Sequence, residues 1–125
     1  MIIGIGVDIV DTGRFGASID RYGERFLRRI FSDEEIAYCR RHRFSAQHFA
    51  VRFAAKEAVL KALRHGIGPG ISLKDIRVTR GERGEPSIAL SGRTRTLAES
   101  KGVRRLHVSL SHAGSHCVAQ VVAEG

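Results

Sequence analysis

Residues 45–63, Ser45-Ala46-Gln47-His48-Phe49-Ala50-Val51-Arg52-Phe53-Ala54-Ala55-Lys56-Glu57-Ala58-Val59-Leu60-Lys61-Ala62-Leu63, contain neither proline nor glycine. Alanine at 46, 50, 54, 55, 58 and 62, with Phe49 and Phe53 one turn apart, makes this the strongest helix in the chain. Gly66, Gly68, Pro69 and Gly70 end it.

The flanking segments carry signals of their own. Met1–Val10 alternates, with Ile3, Ile5, Val7 and Ile9 on one strand face and Gly4, Gly6 and Asp8 on the other. Asp8 therefore projects beside two positions without side chains, which leaves room for a ligand or an approaching chain. Ser18 or Asp20 is expected to cap a helix running to about Ile30, with Tyr22, Phe26 and Ile30 spaced for burial. Ser32 and Glu35 have capping-box spacing and open a short helix toward Arg41. Downstream, strands are expected over Ile71–Thr79 and Ser87–Leu90 around a glycine-rich turn, then a short helix over Arg93–Ser100. Leu106–Ser111 and His116–Ala123 pair as a hairpin across Ala113, Gly114 and Ser115. The predicted class is α+β: a single domain over residues 1–125, its small antiparallel sheet packed against one long and several short helices.

Composition narrows the function. With 42% hydrophobic and 27% charged residues the chain folds, and disordered or collagen-like classes are excluded. The longest apolar run, Met1–Val10, contains Asp8 and is far shorter than the roughly 20 residues a membrane span needs. It also lacks the features of a secretory signal, and Cys39 and Cys117 cannot form a disulfide framework, so a reduced, cytoplasmic protein is expected. A net charge of +8 points to a polyanionic partner. Between Tyr38 and His65 stand seven basic residues and one acid, Glu57.

Glu57 and Lys61 lie four apart on the long helix, as do Arg52 and Lys56 on an adjacent strip. The first pair is an ordinary helix ion pair on its own terms; the second repels itself unless an anion lies nearby. Nucleic acid fits the charge but not the aromatics, since every Phe and Tyr precedes the second-half strands that would stack bases. Walker A, GxGxxG and GxSxG patterns and zinc-spaced Cys/His clusters are all absent. Two carboxylates from separate elements in a basic setting, Asp8 and Glu57, are what Mg²⁺ takes when substrate phosphates and water complete its shell. That constellation describes phosphoryl or phosphodiester transfer. The rival reading is a non-catalytic basic module that binds RNA or an acidic protein.

Three segments together, Gly4-Ile5-Gly6-Val7-Asp8-Ile9, Arg52-Phe53-Ala54-Ala55-Lys56-Glu57-Ala58 with Lys61-Ala62, and Val108-Ser109-Leu110-Ser111-His112, closely resemble the holo-[acyl-carrier-protein] synthase family, the small bacterial 4′-phosphopantetheinyl transferases. The resemblance implies transfer of 4′-phosphopantetheine from coenzyme A to a serine of apo-acyl-carrier protein. Carried over, it makes Asp8 and Glu57 the Mg²⁺ ligands, makes Glu57, Lys61 and His112 catalytic, and places Arg52, Lys56, Lys61 and His112 around the coenzyme. Arg14, Arg21, Arg25 and Arg28 match a basic first helix that docks the acidic carrier, and the assembly implied is a homotrimer with sites at subunit interfaces. Glu57, His112 and a metal-bound water are all open as the group that takes the serine proton. Two positions depart from the pattern: Arg64-His65 before Gly66, where a small residue and Thr are usual, and Ala113 after the histidine, which removes any relay through a polar neighbour.

Overall fold

The computed structural model describes residues Met1–Gly125. Its elements follow the order β1 (Ile2–Asp11), α1 (Thr12–Ile30), α2 (Asp33–Arg40), α3 (Ser45–Ala62), a single 3₁₀ turn (Leu73–Asp75), β2 (Ile76–Arg80), β3 (Pro86–Leu90), α4 (Gly92–Ser100), β4 (Arg105–Ala113) and β5 (His116–Glu124). This is the expected α+β class, with one refinement: there are two antiparallel sheets, a three-stranded one in the order β1-β5-β4 and the separate hairpin β2-β3.

The glycine face of β1 accommodates a helix. A Cβ at Gly4 would lie 1.9 Å from the Ala62 carbonyl oxygen, and one at Gly6 would lie 2.0 Å from that of Ala58. Strand and helix backbones therefore touch, which no residue larger than glycine permits on the strand. The alanines of α3 make the complementary surface: Ala54, Ala55, Ala58 and Ala62 are buried, as are Ala119, Val121 and Ala123 of β5 beneath the same helix. Because α3 is enclosed on most sides, its charged residues do not all reach solvent. The opposite face of β1 has no cover: Ile5, Val7 and Ile9 are 64%, 56% and 66% exposed.

Local signals account for most boundaries. Ser32 and Glu35 form the reciprocal capping box of α2, with Ser32 Oγ accepting from the Glu35 N–H at 3.2 Å and Glu35 Oε1 accepting from the Ser32 N–H at 3.0 Å. The β4–β5 ladder continues to Ala113 opposite His116, so only Gly114 and Ser115 remain in the turn, tighter than expected, with Gly114 at φ 59°. Helix α1 begins earlier than expected. Asp11, not Ser18 or Asp20, is its N-cap, accepting from the Arg14 N–H at 3.0 Å. Phe15 packs 5.0 Å from the Phe53 ring of α3, and that burial outweighs the poor helix propensity of Gly13 and Gly16. Gly23, at φ 66°, breaks the helical path, so Phe26 and Ile30 turn inward while Tyr22 stays exposed. The strand expected over Ile71–Thr79 starts only at Ile76; Ser72 accepts from the Lys74 N–H and winds the preceding residues into the 3₁₀ turn.

Candidate active site

Asp8 continues the α3-facing side of β1, and Glu57 and Lys61 stand one helical turn apart on the part of α3 that crosses it. The Lys61 ammonium donates to Asp8 Oδ1 at 3.0 Å and to the Val7 carbonyl at 2.9 Å. The Glu57–Lys61 ion pair suggested by their spacing does not form, because the strand offers Lys61 a carboxylate and a carbonyl together. Glu57 is left sharing with Asp8 an open cleft of about 420 Å³, walled by Arg14, Phe15, Ser18 and Phe53. Burial pushes the Glu57 carboxyl above its ordinary pKa, Asp8 adds to the rise, and Lys61 opposes it. Two hard-oxygen carboxylates that strain each other in an open cleft suit a divalent cation. Asp11 lines the same cleft but caps α1, and no three His, Cys, Asp or Glu are grouped to hold a metal, so the donor set of Asp8 and Glu57 fits Mg²⁺ with its retained waters rather than an all-protein cage.

His112 lies elsewhere. In the sheet, Val10 faces Cys117 and Cys117 faces His112, which puts the histidine two strands away from β1, a lateral step of roughly 10 Å. It lines a cavity of about 320 Å³ with Gln47, His48, Val51, Arg80, Pro86 and Ser111. Helix α3 thus presents Glu57 and Lys61 over β1 and His48 near β4. Within one chain the carboxylate pair and His112 open into different clefts.

Two expected coenzyme-facing residues point inward. Lys56 is fully buried, and its ammonium donates to Glu35 Oε1 at 2.8 Å and to the carbonyls of Leu73 and Ile76. All three of its donors are satisfied inside the protein, which corrects its placement beside a ligand. Arg52, 1% exposed, donates from Nη1 to the His48 carbonyl at 3.1 Å and lies over the Tyr38 ring, 4.3 Å from its centroid. It does not line the His112 cavity; Arg80 lines both that cavity and the one holding Arg52. Of this strip, Lys56 finds an internal anion, Glu35, while Arg52 forms no ion pair.

The arginines of α1 are exposed, but Gly23 divides them into Arg14 with Arg21 and Arg25 with Arg28. Arg14 borders the carboxylate cleft. Arg25 and Arg29 flank a shallow pocket floored by Tyr22 and Phe26. Arg28 is partly neutralised by Glu24 at 3.9 Å, which also pairs with Arg40. His48, Arg80 and Glu35 were not legible as site residues. The only sequence hint is that His48 precedes Arg52 by one helical turn and Arg80 opens the glycine-rich turn after β2.

A family profile described as the 4′-phosphopantetheinyl transferase superfamily matches residues 4–121. The chain belongs to that superfamily. Its relatives specify the branch: it is 44% identical over 125 residues to the holo-[acyl-carrier-protein] synthase of Syntrophus aciditrophicus, covering 100% of this chain and 98% of the relative. The enzyme of the same description from Koribacter versatilis is 42% identical, covering 99% of each chain. Among solved structures, holo-[acyl-carrier-protein] synthase from Neisseria meningitidis superposes with a TM-score of 0.92 at 33% identity, covering 100% of both chains. The Helicobacter pylori synthase in complex with coenzyme A gives 0.84 at 33% identity, covering 96% of this chain and 99% of that one. Within the superfamily the chain is a phosphopantetheinyl transferase of the holo-[acyl-carrier-protein] synthase type.

Proposed function

We propose that this chain transfers 4′-phosphopantetheine from coenzyme A to a serine hydroxyl of an apo-acyl-carrier protein, releasing adenosine 3′,5′-bisphosphate, with Mg²⁺ held by Asp8 and Glu57. The observation that carries the reading is the pairing of these carboxylates in one open cleft beside the Lys61 ammonium. Relatives crystallised with coenzyme A, from Helicobacter pylori and Bacillus anthracis, support the choice of donor. The serine oxygen bonds to the phosphorus that carries pantetheine, the pyrophosphate P–O bond breaks, and the bisphosphate leaves. Bound Mg²⁺ supplies charge neutralisation to the pyrophosphate. Lys61, already poised on Asp8, steadies the charge that gathers on the leaving phosphate. Glu57 and His112 are the side chains suited to take the serine proton.

His112 opens into a different cleft from the carboxylates, and the apolar face of β1 is uncovered. These two features support an assembly in which a neighbouring copy brings its His112 cavity to the carboxylate pair, and the family resemblance implies that the assembly is a homotrimer. No helix is long and apolar enough to cross a membrane. The site is proposed to work in the cytoplasm, where reduced Cys39 and Cys117 persist. The non-catalytic RNA-binding reading finds no stacking platform, since β2 to β5 carry no Phe or Tyr.

Intact-mass measurement of purified apo-acyl-carrier protein incubated with coenzyme A, Mg²⁺ and this chain tests the proposal. A gain of one phosphopantetheine group per carrier is expected. An unchanged carrier mass overturns it.

A further inference from the structure

The two sheets turn free edges toward each other. β3 is an edge of the hairpin and β4 is the outer strand of β1-β5-β4, and although their Cα atoms approach within 8 Å the two strands are not hydrogen-bonded. Beside α4 this seam opens into a cavity of about 250 Å³. Its apolar lining comes from every element around it: Ile88 and Leu90 of β3, Ala98 of α4, then Val103 and Leu106. All but Ala98 remain half-buried, so the seam is an apolar surface that the chain itself leaves open.

The charges in the same wall do not balance. Arg95, Arg104 and Arg105 stand against a single acid, Glu99. That acid is already taken, accepting from Arg95 Nε at 3.0 Å. Arg104 and Arg105 belong to none of the ion pairs in the molecule. Nearby Glu124 is held below the ordinary carboxylate range chiefly by its hydrogen bond with His107, at 2.9 Å, and only lastly by Arg105. Residues 93–105 as a whole carry five cations, with Glu99 as their only acid. An apolar slot with exposed, uncompensated guanidinium groups at its rim matches a ligand that has one unbranched apolar tail and one anionic head.

We propose that the seam between β3 and β4 binds a medium-chain carboxylate, its alkyl chain along Ile88, Leu90, Val103 and Leu106 and its head toward Arg104 and Arg105. A peptide strand does not fit there, because a strand inserted between two others holds them about 9.5 Å apart, twice the ladder spacing, and these edges stand closer. The volume lies just below the range of about 300–1,000 Å³ usual for small-molecule sites, which suits one short chain and excludes a nucleotide or a two-chain lipid. The seam shares no lining residue with the carboxylate cleft or the His112 cavity, so its ligand is additional to the coenzyme and binds whether or not the chain transfers phosphopantetheine.

Isothermal titration of the full chain with acetate, hexanoate and octanoate at constant ionic strength tests the proposal. Acetate should not bind, and octanoate should bind about tenfold or more tighter than hexanoate, at about fourfold for each methylene that enters the seam. Octyltrimethylammonium, with the same tail and the opposite charge, should bind more weakly than octanoate. Arg104→Gln alters only an exposed side chain and should weaken octanoate about threefold or more, the loss of one solvent-exposed charge contact. Saturating coenzyme A should leave octanoate bound. Affinity that does not grow with chain length, equal binding of the ammonium compound, an Arg104→Gln variant with undiminished affinity, or displacement of octanoate by coenzyme A each overturns it.

Discussion

The Lys56 ammonium and the Glu35 carboxylate meet at 2.8 Å with both side chains inside the protein. The same carboxylate closes the cap of α2 and accepts from the Val78 N–H, while the same ammonium holds the carbonyls of Leu73 and Ile76. One ion pair thus ties α2, α3 and the start of β2. Burial lowers the Lys56 pKa, and Glu35 restores part of that loss. Lys56→Met or Glu35→Gln alone leaves a buried charge unpaired, and each should cost about 3–5 kcal/mol of stability. The double variant should lose clearly less than the sum of the two, as read by urea denaturation and a double-mutant cycle.

At the carboxylate cleft, Glu57→Gln removes the charge that Asp8 opposes. The metal-free variant should be no less stable than the wild type. Mg²⁺ should raise the melting temperature of the wild type but not of the variant, and turnover should fall about 10²-fold or more. A variant still stabilised by Mg²⁺ would remove Glu57 from the ligand set.

Reversing the charge of exposed Arg21 or Arg25 to Glu should raise KM for the carrier and leave KM for coenzyme A unchanged, with the wild-type KM for carrier rising as salt is added. Arg28→Glu should have a smaller effect, because Glu24 already offsets part of that charge. Arg14 borders the cleft itself, so its reversal should lower kcat as well. Equal losses for both substrates at Arg21 and Arg25 would rule out the docking role.

The uncovered strip of Ile5, Val7 and Ile9 is the surface expected to join subunits. Val7→Asp should yield monomers by light scattering and abolish turnover. Mixing Asp8→Ala chains with His112→Ala chains should restore activity, since one interface then combines an intact Asp8 with an intact His112. An active monomer excludes a shared site.

His48 titrates below 6.5, chiefly through burial and then through His42, Arg52, Arg80 and His112. The unfolded chain therefore binds this proton more readily than the folded one. The stability cost begins as pH falls below 6.5 and is complete only below the lowered folded-state value. His48→Gln should flatten the pH dependence of stability in that window.

Sequence by itself determined the features that depend on neighbours along the chain. The α3 helix, the capping box of Ser32 and Glu35, the glycine face of β1 and the placing of Glu57 one turn before Lys61 all follow from residue type and spacing, which backbone geometry converts directly into position. The family motifs, read from the same residues, carried the class of chemistry. Tertiary structure alone decided which partner each charge met. Lys61 turned from Glu57 to Asp8, Lys56 went inward to Glu35, and Arg52 joined Arg77 and Arg80 instead of His112. The start of α1 was likewise fixed by Phe15 packing on Phe53 against an unfavourable local propensity. The physical reason is that helical spacing says which residues share a strip but not which way the strip faces. Around α3 that direction was set by β1, β5, α1 and α2 closing on its alanines, so its cations were sorted between interior and surface by packing rather than by charge.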